Sequence, residues 1–240
     1  MATGWYLASA KGMVRPEMTP WQNVATEKTA QGTLELRQRG DAEFLIVIAG
    51  RVLMTSANRR SEEALATLAC TGLGDRREPR ILVGGLGMGY TLRAALDVLP
   101  AGARVEVSEL TPVVVDWCRG PLAPLTSAAV GDPRVRVVVG DVAQRIATAA
   151  AGAYDSILLD LYEGPYPAKQ QREDPFYGPK ALARSHRALA PGGSLAIWSE
   201  DFDPAFARRF VSAGFQVTTH RSGHSGRTHV VYLGVRSAPV

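Results

Sequence analysis

The order of apolar and polar positions divides the chain into two unlike stretches. From residue 80 onward, unbroken apolar runs alternate with segments whose apolar residues recur at helical spacing. Residues 81–83 show no polar alternation, which suits a parallel strand covered on both faces, and Leu92, Ala95, Leu96 and Leu99 form one stripe of the helix that follows. The repeat predicts strands at 80–84, 104–109, 135–140, 154–160 and 194–199 and helices at 89–99, 112–119, 142–150, 178–189 and 204–213. Two final strands, 215–219 and 229–235, flank the Gly/Ser/His-rich turn 221–228 and should pair antiparallel. Upstream, residues 33–37 alternate, and 44–48 and 51–54 are short β-rich runs separated by glycine turns, which reads as a small antiparallel hairpin element. Residues 1–30 carry no clear period and read as an irregular lead-in, while Ser61-Glu62-Glu63 reads as the cap of a helix reaching about Cys70. The expected fold class is α/β: a doubly wound, mostly parallel seven-stranded sheet with a small N-terminal β-hairpin element. Its expected division is 1–75, hairpin element and linking helix, and 76–240, a nucleoside-binding α/β catalytic domain.

The turn after the first strand of the repeat carries the first chemical signal. Gly85-x-Gly87-x-Gly89 lets the backbone turn sharply and approach a ligand with no Cβ in the way, and the next helix would aim its N-terminal amides there. The spacing differs from the G-x-G-x-x-G of dinucleotide-binding folds, whose third glycine would fall at Tyr90, and suits an S-adenosylmethionine fold better. Glu109 ends the next strand, twenty residues beyond Gly89, where such folds place an acid to accept both ribose hydroxyls. Asp141 follows the third strand and can accept from an adenine amino group, cap the helix after it, or do both. The cofactor-binding candidates are therefore Gly85, Gly87, Gly89, Glu109 and Asp141.

At 240 residues the chain can bury a full α/β core. Its formal charge of +4 comes from scattered arginines, with no basic run suited to a nucleic-acid arm. Cys70 and Cys118 are isolated, and His220, His224 and His229 sit around a glycine-containing turn, so neither a disulfide framework nor a metal site is expected. The start lacks a basic leader and a continuous apolar core, and no apolar run approaches the ~20 residues of a membrane span. A cytoplasmic protein with no membrane or nucleic-acid partner is expected, as a homodimer.

The catalytic candidates lie past the fourth strand of the repeat. Asp160 ends that strand beside the crevice where open α/β sheets bind ligands. Glu163, Glu173 and Asp174 follow, and Glu200 and Asp201 lie past the next strand, so six carboxylates would gather at one rim of a basic protein. Such a rim invites a cationic amine and repels phosphate. Residues 161–177 lack a period and hold Pro165, Pro167 and Pro175, as a lid or binding loop would. Tyr162, Tyr166 and Tyr177 could stack over a substrate or pin the lid, while Trp117 and Trp198 read as core or rim packing.

From about residue 31 to 200 the chain resembles the spermidine synthase (polyamine aminopropyltransferase) family, within the class I S-adenosylmethionine-dependent methyltransferase fold. The likeness rests on Gly50-Arg51-Val52-Leu53, the glycine turn through Thr91-Leu92-Arg93, Glu109, Asp132-Pro133-Arg134-Val135 and Gly140-Asp141. Tyr154-Asp155 with Asp160, Phe176-Tyr177 and Pro191-Gly192-Gly193 extend it. The resemblance implies that Glu109 and Asp141 hold the nucleoside of decarboxylated or intact S-adenosylmethionine as co-substrate, without a metal. It implies further that Asp160, with Glu163 and Tyr162 as further catalytic candidates, orients or deprotonates the amine of a small cationic substrate. Three departures stand out: Met88 where the family usually has an acid, Glu163 in place of a second aspartate, and Leu53 or Met54 in place of a glutamine. Aminopropyl transfer to a di- or polyamine is the leading expectation. The alternatives are an S-adenosylmethionine-dependent methyltransferase acting on a small amine, and a non-catalytic nucleoside-binding regulatory protein, against which Asp160 and Glu163 speak.

Overall fold

The computed structural model describes residues 19–162, 164–165, 173–222 and 229–237. Its centre is a seven-stranded sheet made of β5 (Arg80–Gly84), β6 (Arg104–Glu109), β7 (Val135–Val139), β8 (Tyr154–Leu159), β9 (Leu189–Ser199), β10 (Phe215–Ser222) and β11 (His229–Arg236). The strand order is β10-β11-β9-β8-β5-β6-β7. The five strands from β5 to β9 run parallel and β11 returns antiparallel beside β9, as the hydrophobic pattern predicts. Every residue of β8 is buried, which is why its sequence shows no polar alternation. Helices α1 (Arg60–Ala69), α2 (Tyr90–Val98) and α3 (Pro112–Arg119) pack on one face. Helices α4 (Val142–Thr148), α5 (Pro179–Ala188) and α6 (Pro204–Ser212) cover the other, around Leu82, Ile157, Phe206 and Phe210. No helix among the described residues is long and apolar enough to cross a membrane.

The N-terminal element is larger than a hairpin. β1 (Gln22–Thr29), β2 (Gly32–Arg39), β3 (Glu43–Ile48) and β4 (Arg51–Thr55) form a four-stranded antiparallel meander. β1 falls in the segment read as an irregular lead-in because it is an edge strand exposed along most of its length, so burial imposes no alternation on its sequence. The Ser61 cap is also corrected. α1 begins two residues earlier than a Ser61 cap would place it, with Arg59 at the N-cap position and no side-chain cap. Ser61, already inside the first turn, instead donates its hydroxyl to Glu62 Oε2 at 2.6 Å. β9 begins earlier than its apolar run because Pro191-Gly192-Gly193 is accommodated as an irregularity within the strand, and the β8–β9 register shifts between Tyr154 and Ser156.

At the amino-terminal end of the sheet, buried Asp155 accepts from Arg76 Nη1 at 2.6 Å and from the Arg80 backbone N–H at 2.8 Å, tying the linker after α1 to β8. The opposite end remains open for ligands. There the chain reverses its winding between β5 and β8, and the crevice at that switch point is where sheets of this kind bind ligands.

Candidate functional site

A cavity of about 1020 Å³ opens at the carboxyl ends of the parallel strands. One wall is the turn after β5 and the ends of β6, β7 and β8; the facing wall comes from the meander through Leu34, Ile46, Ile48, Leu53 and Met54. Thus the N-terminal sheet supplies an apolar side of the site, with Leu53 and Met54 of β4 part of that wall.

The glycine turn is built for close approach. Gly85 has φ +86, and a Cβ there would lie 2.3 Å from the Asp160 carbonyl oxygen. Gly87 has φ +52, and its Cβ would meet Met54 Sδ at 2.9 Å. An L side chain at either position would be strained and would also collide. Both glycines line the cavity; Gly89 is instead the left-handed N-cap of α2 and does not.

Glu109 lies buried at the end of β6. Its Oε2 accepts from the Leu86 N–H and its Oε1 from the Thr111 N–H, each at 2.8 Å. These bonds fix the carboxylate and leave each oxygen a further lone pair for a ligand. Burial raises the Glu109 pKa above the ordinary range, opposed by the backbone N–H groups that stabilise its charge. Asp141 is the N-cap of α4, accepting from the Ala143 N–H at 2.8 Å, and it lines the same cavity. Leu110 and Val142, the residues immediately after these two acids, line it as well.

Asp160 stands across the glycine turn from Glu109. Its backbone N–H is held by the Gly84 carbonyl at 2.9 Å, and Thr91 Oγ1 donates to its Oδ2 at 2.5 Å. Its pKa is pushed up to about 7, first by burial and then by the negative charge of Glu62, with the Thr91 hydrogen bond pulling the other way. Tyr162 is exposed, lines the cavity and has the Arg51 guanidinium 5.1 Å over its ring. Glu163, Tyr166, Pro167 and His224 lie outside the described residues.

The acidic character survives, but with different members. Among the described residues Glu27, Glu62, Glu109, Asp116, Asp141, Asp160 and Asp174 line the cavity, against one lysine, Lys28, which is exposed. Of the expected rim, Asp160 and Asp174 line the cavity; Glu173 is turned to Lys180 at 3.0 Å, and Glu200 and Asp201 do not line it. Asp174 uses one oxygen to accept from the Phe176 and Tyr177 N–H groups at 2.8 and 2.7 Å, fixing the entry to α5.

Sequence reasoning missed Glu62. It was absorbed into a cap motif, yet it sits three, four and seven residues before Leu65, Ala66 and Ala69 on the buried face of α1. A carboxylate on an otherwise apolar stripe was the available signal. Tyr177 is 6% exposed, and among the described residues its hydroxyl and the buried Trp198 Nε1 have no hydrogen-bond partner; both residues line the cavity. Trp117, by contrast, is core, as expected. His229 is not in an exposed turn: its ring lies 4.9 Å from that of Trp198. Met88 is corrected too. Its side chain is fully buried beneath the turn and does not line the cavity, so this position does not face a ligand tail. Among the described residues no group of three His, Cys, Asp or Glu side chains is placed to hold a metal ion.

No family model matches the chain. Putrescine N-methyltransferase 1 of Nicotiana tabacum is 37% identical over 129 residues, covering 53% of this chain and 32% of that protein. Polyamine aminopropyltransferase 2 of Streptomyces coelicolor is 32% identical over 179 residues, covering 72% of this chain and 30% of that protein. The chain thus spans about a third of the length of the curated relatives it matches. Spermidine synthase from Thermotoga maritima superposes with a TM-score of 0.73 at 16% identity, over 90% of this chain and 74% of the other, which shows a common fold. The chain is thus similar in sequence, over part of its length, to a putrescine N-methyltransferase and a polyamine aminopropyltransferase, and it shares the fold of spermidine synthase.

Proposed function

We propose that this chain transfers an aminopropyl group from decarboxylated S-adenosylmethionine to a primary amine of a di- or polyamine. The observation that carries the reading is the cavity's charge: seven carboxylates against one exposed lysine among the described lining residues, in a protein of formal charge +4. That field suits a polycation and a donor whose tail ends in an ammonium without a carboxylate. The named relatives act in the same chemical territory, as putrescine N-methyltransferase and polyamine aminopropyltransferase.

On this reading residues 76–240 are the nucleoside-binding catalytic domain, and the element within 1–75 closes the acceptor side. Glu109 receives both ribose hydroxyls on the lone pairs its backbone partners leave open. Asp141 takes the adenine amino group with the oxygen not used for capping, and Leu110 and Val142 flank the base. The bare backbone at Gly85 and Gly87 lets the sulfonium pass close to Asp160. The donor supplies an electrophilic carbon with a neutral thioether as leaving group, so the protein's share is alignment and electrostatics. Asp160, pushed up to about 7, is matched to accepting a proton from the incoming ammonium near neutral pH. Tyr162 and Glu163 at the loop's start are proposed to complete the acceptor site, and the methylene chain runs along the apolar meander wall. The proposed setting is a homodimer in the cytoplasm, the dimer being checked by light scattering.

The test is incubation of the protein with each donor, decarboxylated and intact S-adenosylmethionine, in the presence of 1,4-diaminobutane and spermidine, with mass spectrometry of the amines. Gain of an aminopropyl group from the decarboxylated donor is expected. A methylated product from the intact donor would replace this reading with methyl transfer.

A further inference from the structure

Among the cavity carboxylates that the nucleoside and acceptor motifs leave without a role, Glu62 is the buried one, Glu27 and Asp116 being exposed. It is 9% exposed, projects from the buried face of α1 and lines the cavity beside Asp160. Its one hydrogen bond among the described residues comes from Ser61 Oγ to Oε2. Among the described residues no arginine, lysine or histidine pairs with it or with Asp160, although nine other acidic side chains do have such a partner. A buried acid is costly unless something cationic meets it. Tyr177 marks this part of the cavity independently: the residue lines it, its buried hydroxyl has no hydrogen-bond partner among the described residues, and burial, then the charges of Asp174 and Asp160, raise its pKa.

We propose that Glu62, Asp160 and the Tyr177 hydroxyl together form the ammonium-binding site of the acceptor, with Glu62 as its second anion. An alkylammonium has three N–H donors, and Glu62, Asp160 and Tyr177 offer three acceptor groups to one cavity. The assignment deepens the aminopropyl-transfer reading and rests on it for the identity of the acceptor. The proton balance closes. The bound ammonium gives one proton to Asp160, the neutral amine attacks the carbon attached to sulfur, a C–N bond forms as the C–S bond breaks, and the electron pair stays on the thioether. The product leaves as a secondary ammonium, and Asp160 then releases the single net proton to water. Glu62 takes no part in the proton transfer and holds the ammonium in both ground and transition states. It is therefore expected to act on acceptor binding more than on turnover.

The groups facing Asp160 are Glu62 from α1, Thr91 from α2, and Tyr177 from the start of α5; Asp174, Tyr90 and Arg59, which lies 5.9 Å over the Tyr90 ring and pairs with Glu63, flank this set. Glu62 is the charge that raises the Asp160 pKa after burial, so removing it should let Asp160 ionise at lower pH.

The test compares wild type, Glu62→Gln, Glu62→Asp and Tyr177→Phe. Calorimetric titration with 1,4-diaminobutane, in the presence of saturating 5′-methylthioadenosine, reads the site without turnover. Glu62→Gln should weaken diamine binding about 10- to 100-fold, the scale of one charged hydrogen bond, and leave methylthioadenosine affinity within twofold. It should raise the KM for the diamine similarly and move the acid limb of kcat/KM to lower pH. Glu62→Asp should keep the wild-type pH limb, and Tyr177→Phe should weaken the diamine by a smaller factor; these two carry the test if the glutamine variant does not fold. Equal diamine affinity and an unmoved pH limb in folded Glu62→Gln would overturn the inference while leaving aminopropyl transfer standing. Diamine binding that depends on Glu62 in a wild type that transfers nothing would support the site and overturn the transfer reading.

Discussion

Glu109 gives the sharpest quantitative test of the nucleoside half of the site. The perturbation is Glu109→Ala, with Glu109→Gln beside it. In the folded protein each carboxylate oxygen already accepts one backbone N–H at 2.8 Å, from Leu86 and Thr111. The remaining lone pairs face the cavity, so the ribose would add two charge-assisted bonds to a carboxylate that is already oriented. At roughly 1.5–3 kcal/mol each, with water recovering about a third when the side chain is cut, the net loss is about 2–4 kcal/mol. That corresponds to about 30- to 700-fold in affinity. Glutamine should lose nearly as much, because its amide NH2 must face either the Leu86 or the Thr111 N–H, donor against donor. The assay is calorimetry with 5′-methylthioadenosine, which has no charged tail, and with its 2′-deoxy analogue. Wild type should discriminate the pair and the alanine variant should not, and this coupling isolates the ribose contact from any general loosening. A folded alanine variant that binds methylthioadenosine within threefold of wild type, and still discriminates the deoxy compound, would refute the assignment.

Three further outcomes follow from the same geometry. Asp160→Asn should cut turnover by about 10² or more while leaving methylthioadenosine affinity within a few fold, as steady-state kinetics and calorimetry would show. Because folding raises the Asp160 pKa from 3.8 to about 7, stability is greatest below 3.8 and falls as pH climbs through that window. The asparagine variant should therefore melt higher than wild type at pH 8 and no higher at pH 3.5. Gly85→Ala places a Cβ 2.3 Å from the Asp160 carbonyl at φ +86, so circular dichroism should show a loss of about 3 kcal/mol or more, with nucleoside binding lost in any folded fraction. Asp155→Ala, at the far end of the sheet, removes the acceptor of the Arg80 N–H and of half-exposed Arg76. It should cost about 2–3 kcal/mol, or roughly 4–12 °C in Tm, with methylthioadenosine affinity unchanged.

What the sequence disclosed, and what it hid, divides along physical lines. β5 and β8 were legible because strands buried on both faces must be apolar throughout, and Glu109 and Asp141 because strand ends and glycine turns have fixed spacing. β1 was not legible, since an exposed edge strand is under no burial constraint. The rim of six carboxylates was a guess from proximity in sequence. Glu173 found Lys180 within its own segment, whereas Glu62 arrived from a helix nearly a hundred residues upstream of Asp160, brought there by packing of α1 against β8 and β9.

Met88 and Glu62 show why a motif departure is a poor guide to a site's charge. An acid missing from the glycine turn suggests a site that has lost a contact with its ligand's ammonium. Yet Met88 points inward, its N–H directed at Met54 Sδ at 3.3 Å and its side chain wholly buried. An acid placed there would face the core unless the turn itself were rebuilt. Beside Asp160 the cavity gains a further carboxylate from Glu62, on an element outside the nucleoside motifs. On the proposed reading, the nucleoside is held by the ends of β5, β6 and β7, and the acceptor by α1, the meander and the entry to α5. The two specificities are then carried by separate stretches of chain. Acceptor preference can change through residues 27–62 while Glu109, Asp141 and the glycine turn stay fixed.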